Sequence, residues 1–357
     1  MQISFGNNID RGEWSRLVQA SATGTWFQTP EAYEFFASMP ELFVPFAVGV
    51  TGTPESDSGA MDEETLRGVC MGYVTVEKNP IKQFFTRRAI IIGGPALADD
   101  ATDEEVETLM KAVRNLFQVS TFNFQLSPSP IYIETRNFND YSRWKEAFKN
   151  AGFGYQPHLN FHVDTSSVEV VEANLGKSRK RDIKTSIRDG AFIIEHPTAE
   201  QVREYYAILS NLYKTKVKTP LFPLSFFEAL VRHKDGRLLL VALPKEGGST
   251  EIIGGTVCVA QEDKCLYEWF VCGRDGEWKS IFPSSYATYA GIRYAAEHGM
   301  LRFDMMGAGT PNEAYGVRDF KARFGGKEIE HGRFLCVTKP LLYEIGTLGV
   351  KILKKLK

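Results

Sequence analysis

The feature that most constrains this chain is an internal repeat, in which the second half replays the first in the same order of apolar runs and turns. Late in the first half, strand-like Ile131–Glu134 leads into a helix-like segment at 141–150 carrying Phe148-Lys149, then Gly152-Phe153 and a strand-like run at 159–163. In the second half, strand-like 301–305 leads into 317–323 carrying Phe320-Lys321, then Phe324-Gly325-Gly326 and a closing run at 333–337. Ile131 and Leu301 lie 170 residues apart, and Phe148 and Phe320 lie 172 apart. Upstream, 69–76 answers 252–259 and 46–50 answers 238–242, the offset growing as loops differ. A repeat through whole halves predicts two like α/β domains, with chemistry in the cleft between them.

Length agrees, because 357 residues exceed what one core holds and suit two domains of about 150 to 200 residues. A net charge of -2 with 24% charged residues gives no global basic excess for duplex nucleic acid, so local charge must carry any argument about anions. The N-terminal segment 1–10 lacks the basic start and apolar run of a signal peptide, and no stretch approaches roughly 18 uninterrupted apolar residues, which sets a cytoplasmic expectation. Cys70, Cys258, Cys265, Cys272 and Cys336 are odd in number, never form a C-x-x-C pair and fall mostly in apolar strand-like runs. They read as buried thiols rather than disulfides or zinc ligands. His158 and His162 are four apart, but in a strand-like run without acidic or cysteine companions, so no metal site is expected.

In the first half, helix-like 12–19 and 30–37 precede strand-like 46–50, 66–77 and 88–92, with a polar acidic loop at 53–65. After Gly93-Gly94-Pro95, Thr102 and Glu105 form a capping box opening a helix whose Val106, Leu109, Met110, Val113 and Leu116 keep helical spacing. The densest basic run opens the second half, with Lys177, Arg179, Lys180, Arg181, Lys184 and Arg188 in twelve residues and only Asp182 and Asp189 among them. On a helix, Lys177, Arg181, Lys184 and Arg188 share one face while Leu175, Ile183 and Ile187 turn inward. That face is either solvated or a seat for phosphate, which clustered cations hold by charge-assisted contacts.

Between Cys265 and Phe324 the residues become distinctive. Alternation in the strand-like run 265–272 sets Leu266, Glu268, Phe270 and Cys272 on one face, so a carboxylate sits among apolar neighbours and needs a partner. Pro283 with Ser284 or Ser285 starts a helix that Gly299 stops, and Ala287, Ala290, Gly291, Tyr294 and Ala295 make one face mostly small, for close approach to a sheet or to a ligand at the helix start. Strand-like 301–306 ends in Asp304-Met305-Met306-Gly307-Ala308-Gly309, where Gly307 and Gly309 let backbone approach a ligand or merely turn.

The whole run Y-E-W-F-V-C-G, F-P-S-S-Y-A-T-Y-A-G-I-R-Y-A-A-E-H-G, R-F-D-M-M-G-A-G and Y-G-V-R-D-F-K-A-R-F-G-G resembles the Fem-type (FemAB-like) aminoacyl- and acyltransferases. The Gly93-Gly94-Pro95 turn and the basic segment extend the resemblance over nearly the entire chain. It implies a mixed α/β (α+β) fold of two tandem GNAT-like domains, each a mostly antiparallel mixed sheet flanked by helices. These would span 1–155, completed by a C-terminal helix at 340–357, and 156–339, which would hold the donor.

The resemblance also implies transfer of an aminoacyl or acyl group to an amine on a cell-envelope, peptidoglycan-type precursor. No cofactor would be bound permanently, and aminoacyl-tRNA or acyl-CoA would be the cosubstrate. An acyl-CoA-dependent N-acyltransferase acting on a sugar or lipid amine, and a binding-only member of the same fold, are the alternatives. Lys321 matches the family's F-K motif and would stabilise the tetrahedral intermediate or leaving group, although Lys149 holds the matching place in the first repeat. Asp304 and Glu268 would position or deprotonate the amine, Asp304 being equally an internal partner of Lys321 or Arg318. Arg318 and Arg323 would hold phosphate or carboxylate, and Arg179, Arg181, Lys184 and Arg188 the donor's phosphates or RNA.

Three departures are visible. There is no long helical arm, and the first half has no counterpart of the nucleotide-phosphate-binding residues. The loop 273–283 lacks the arginine-or-glutamine, glycine, glycine-or-alanine spacing with which GNAT enzymes cradle coenzyme A pyrophosphate. At the tail, Leu341, Ile345, Leu348, Ile352 and Leu356 share a helical face ahead of Lys351, Lys354, Lys355 and Lys357. That face suits either packing on the first domain or peripheral contact with the inner face of an anionic membrane.

Overall fold

The computed structural model describes residues 1–53, 64–77, 79–117 and 129–355, so most of the acidic loop expected at 53–65, and Leu356 and Lys357 of the tail, lie outside the described residues. The chain forms two compact units, one of Met1–His158 with His331–Lys357 and one of Leu159–Glu330.

In the first unit, strands β1 (Gln2–Phe5), β2 (Phe43–Gly52), β3 (Thr65–Thr75), β4 (Ala89–Gly93), β5 (Ala96–Leu97), β6 (Tyr132–Asn137) and β7 (Gly154–Gln156) are joined by a late strand, β15 (Arg333–Val337). The sheet order is β1-β2-β3-β4-β6-β15-β7, with β5 against β3. All pairs are antiparallel except β4 with β6. Its helices are α1 (Arg11–Ala20), α2 (Pro30–Ala37), α3 (Pro80–Thr86), α4 (Asp103–Leu116), α5 (Lys145–Asn150) and, after the second unit, α12 (Pro340–Lys355). The capping box on α4 is present, with Thr102 and Glu105 satisfying each other's backbone amides, and the apolar stripe of α4 closes over Val48, Val50, Ile91 and Ile133 of the sheet.

The second unit holds β8 (Leu159–Asp164), β9 (Phe192–Ile194), β10 (Gly236–Pro244), β11 (Thr250–Gln261), β12 (Cys265–Gly273), β13 (Arg302–Gly307) and β14 (Lys327–Glu330). Helices α6 (Val168–Asn174), α7 (Lys177–Arg188), α8 (Ala199–Leu212), α9 (Leu224–Arg232), α10 (Pro283–Glu297) and α11 (Gly316–Lys321) flank the sheet. Its order, β9-β10-β11-β12-β13-β8-β14, reproduces that of the first sheet strand for strand, including the single parallel pair, β12 with β13.

One detail departs from a simple repeat. The strand at 159–163 does not close the first sheet but enters the second between β13 and β14. The strand at 333–337 enters the first between β6 and β7. Each sheet therefore takes its sixth strand from the other half of the sequence, so 331–339 groups with the first unit and not with a domain spanning 156–339. Apolar periodicity marks both runs as strands but carries no information about which edge they pair with.

The five cysteines are free and buried, and no cluster of metal-binding side chains occurs among the described residues. No helix among them is long and apolar enough to cross a membrane.

Candidate functional site

The site grows from an irregularity at the end of β13. Pairing of β13 with β8 slips between Asp304 and Gly307, and Met306 takes the left-handed conformation at φ 55°, which a side chain-bearing residue adopts only when its surroundings hold it there. The Asp304 carboxylate is one such holder, accepting the Met306 amide at 2.7 Å. The bulge turns consecutive carbonyls to one side, and Lys321 fills the place they create: its Nζ donates to the carbonyls of Met305 and Gly307, the latter at 2.9 Å, and lies 3.5 Å from that of Met306. Lys321 comes from the last turn of α11 and is 7% exposed.

Glu268, on β12, is buried within electrostatic reach of this ammonium and accepts the hydroxyls of Thr288 on α10 at 2.9 Å and Thr256 on β11 at 3.3 Å. It does not share a face with Phe270, as unbroken alternation required. A bulge at Trp269 pairs Cys258 with Glu268 and its neighbour Val257 with Phe270, so the two side chains leave opposite faces. Phe270 packs with Phe226 and Phe227 of α9, while Glu268 faces α10. The small face of α10 serves this contact: a Cβ on Gly291 would lie 2.8 Å from Phe303 of β13, so the helix presses on the sheet there.

Burial sets the electrostatics. It lowers the pKa of Lys321, opposed by the negative charges of Glu268 and Asp304. It raises that of Glu268, opposed by Lys321 and the two threonine hydroxyls. Asp304 differs: burial again disfavours its charge, but His162, Arg302 and the Met306 amide outweigh this and hold it below the usual carboxylate range. The His162 Nε2 lies 3.1 Å from Asp304 Oδ2. His162 is the partner that reading the sequence missed, because only the exchanged strand β8 brings it opposite Asp304.

Other candidates separate by position. Arg318 is spent on backbone, donating to the carbonyls of Ala308, Pro311 and Thr310 and so fastening the turn that contains Gly309, itself at φ 80°. Arg179 is buried, not displayed: Nη1 bonds Asp182 and Ser285, and the guanidinium lies 4.6 and 5.1 Å from the rings of Phe320 and Phe324. The phenylalanine of the F-K pair thus ties α11 to α7, which aims Lys321. Lys177, Arg181, Lys184 and Arg188 form an exposed face of α7, with Arg188 paired to Asp189. Ile183 is buried but Ile187 is 48% exposed, contrary to the inward placement expected for it. Arg323 is exposed.

The start of α10, against which the resemblance would set a coenzyme A pyrophosphate, holds the chain's own groups. The Phe282 amide donates to Ser186, Pro283 has no amide hydrogen, and the Ser284 amide donates to the Asp275 carboxylate at 3.1 Å. Arg274 is neutralised by Glu251 and Glu277. An aspartate at the helix N-terminus takes one of the amides and opposes the field that would attract phosphate, so the site is poorly suited to that group.

Known proteins agree with this architecture. Residues 177–321 match the family described as an acetyltransferase (GNAT) domain. Among solved structures, FemX is similar over 97% of this chain and 99% of its own at 14% identity and a TM-score of 0.69. The L-PGS of Bacillus licheniformis is similar over 97% of both chains at 10% identity and a TM-score of 0.51. A tandem GNAT protein from the clavulanic acid biosynthesis pathway is similar over 94% of this chain and 98% of its own, at 10% identity and a TM-score of 0.51. At these identities the likeness is one of fold, and the fold is the tandem GNAT arrangement of two mixed sheets flanked by helices. No curated protein matches the sequence.

Proposed function

We propose that the chain is an N-acyltransferase of the aminoacyl type, moving an acyl group from an activated ester to an amine of a cell-envelope precursor. The observation that carries this reading is Lys321, an ammonium buried on the carbonyls of the β13 bulge and held charged by the nearby carboxylates of Glu268 and Asp304 against its burial. In the reaction the acceptor nitrogen attacks the ester carbon, the new C–N bond forms as the C–O bond breaks, and the leaving oxygen must be protonated. A lysine whose acidity burial has increased is suited to give that proton and regain one from the attacking nitrogen. Its contact with Met306 O, at 3.5 Å the longest of the three, leaves one N–H able to turn toward the oxyanion. Asp304, fully buried, acts as a positioning residue that holds the bulge rather than as a base.

The filled N-terminus of α10 favours an ester donor over coenzyme A, and the exposed cations of α7 offer a seat for a polyanion such as tRNA. The match to an acetyltransferase domain supports a second reading, an acyl-CoA-dependent transferase on a sugar or lipid amine. The two separate in one assay, in which purified protein is titrated with aminoacyl-tRNA and with an acyl-CoA panel across a salt series. Salt-sensitive tRNA binding, weakened by Arg181→Glu with Lys184→Glu, is expected. Saturable acyl-CoA binding alone would install the second reading, and binding of neither would leave a binding-only member of the fold.

A further inference from the structure

The described residues of the first unit leave an apolar surface exposed. On α12, Leu341, Ile345 and Leu348 are 77%, 59% and 60% exposed, at the i, i+4, i+7 spacing of a single helical face. The tail helix does group with the first unit, as expected, but not through these three residues. The opposite side holds the helix in place, through Tyr343 packed edge-on against Tyr132 at 5.6 Å. Helix α3 lies beside α12 and adds two aromatic rings to the same region, Phe84 and Phe85, 47% and 50% exposed and perpendicular to one another at 5.1 Å. The Lys339 ammonium, at the entrance to α12, stands 6.0 Å over the Phe84 ring.

Five large apolar side chains from two adjacent helices exceed the scattered exposure normal for a monomer. Their setting selects the occupant. From Lys339 to Lys357 the sequence has five lysines, Lys339, Lys351, Lys354, Lys355 and Lys357, against a single acid, Glu344. Aliphatic residues on one helical face, paired aromatics beside them and a cationic flank are what a helix lying in a lipid interface presents. The apolar side enters the acyl boundary, aromatic rings sit at headgroup depth, and lysines meet anionic phosphates. A second copy of this chain would bring the same excess of positive charge to the contact and repel it.

We infer that α12 together with Phe84 and Phe85 of α3 forms a docking face for an anionic lipid bilayer. The inference is independent of the transfer chemistry, and its test needs no turnover. The full chain is floated with vesicles of phosphatidylcholine alone and of phosphatidylcholine with phosphatidylglycerol. Binding to the anionic vesicles, reduced by salt, is expected. Leu341→Glu with Ile345→Glu should lower partitioning by about tenfold or more at an unchanged melting temperature, and Phe84→Ala with Phe85→Ala should lower it less. No binding, or binding unaffected by both pairs of substitutions, would overturn the proposal. So would a dimer in lipid-free solution that the same substitutions dissolve, since the face would then belong to a second copy.

Discussion

The two repeats place the same dipeptide in opposite surroundings. Phe148-Lys149 and Phe320-Lys321 close equivalent helices, α5 and α11, yet Lys149 is 70% exposed and paired with Glu146, whereas Lys321 is buried on three backbone carbonyls. The strands beneath explain the contrast. By position, Glu134 on β6 answers Asp304 on β13, and the parallel registers set Ile91 of β4 against Glu268 of β12. The first repeat has a buried isoleucine where the second has a buried carboxylate. Its remaining acid, Glu134, is claimed by Arg136 and Arg333. Phe148 stacks on Phe334 at 3.9 Å and is sealed in the core, while Phe320 receives Arg179. The first repeat thus covers its lysine-bearing helix with apolar packing, while the second buries a lysine with two carboxylates in electrostatic reach.

The largest expected effect tests that division directly. Lys321→Ala should lower kcat by about 10²- to 10³-fold with acceptor KM little changed, while Lys149→Ala should leave both unchanged; equal effects would erase the distinction. The pH profile adds a check on mechanism. Burial places the folded pKa of Lys321 below that of an ordinary lysine, and a group acting as an acid must be protonated. Activity should therefore fall as pH rises through that lowered value, earlier than an exposed lysine would allow. An alkaline limb unchanged in Lys321→Arg would assign it to another group.

The matched carboxylates offer the next comparison. Burial opposes the charge of Glu134, but Arg136 and Arg333 hold its pKa at about 2, and Asp304 is likewise held low, by His162 and Arg302 against its burial. Both folded-state values lie below the unfolded ones. Each carboxylate thus contributes stability that is present above about pH 4 and lost as pH falls through the folded value. Glu134→Gln should cost about 3 kcal/mol at neutral pH and flatten the acid limb of the unfolding curve without changing kcat per folded molecule. Asp304→Asn should flatten the same limb and also lower kcat, because it loosens the Met306 turn on which Lys321 sits. A kcat loss in Glu134→Gln, or none in Asp304→Asn, would break the comparison.

Periodicity and punctuation made much of this legible. The capping box at Thr102, the proline start of α10 and the repeat itself follow from local rules that the folded chain obeys. The family resemblance singles out Lys321, Glu268 and Asp304, and the fold sets them on β12, β13 and α11 of one repeat. What escaped depends on pairing across long separations. The exchange of β8 and β15, and with it the His162–Asp304 contact, is invisible to a period-two pattern, which names a strand but not its neighbours. The bulge at Trp269 turned Phe270 away from Glu268 for the same reason: one extra residue reverses every later side chain. Arg179 looked like one more cation in a run, and only its aromatic seat, made by Phe320 and Phe324 more than a hundred residues later, distinguishes it from the exposed face of α7.

The glycines that follow the two dipeptides extend the contrast, with the smallest effect expected at Gly152. Gly152 and Gly325 both lie at left-handed φ, 92° and 80°, so alanine at either meets the backbone penalty of that region, about 1 kcal/mol. Their neighbours differ. A Cβ at Gly152 would lie 2.7 Å from Nη1 of Arg114, the tip of a flexible side chain, whereas one at Gly325 would lie 2.3 Å from the backbone carbonyl of Asn174. Asn174 ends α6, and two residues later Gly176 donates to the Arg323 carbonyl at 3.1 Å, so the displaced backbone joins α7 to the turn after Lys321. Gly152→Ala should lower the melting temperature slightly and leave kcat alone. Gly325→Ala should cost roughly 2–4 kcal/mol and reduce kcat as well, because the helix that delivers Lys321 shifts with it. If the two alanines cost the same and neither touches kcat, the junction of α6, α7 and α11 does not set the lysine, and its position rests on the β13 bulge alone.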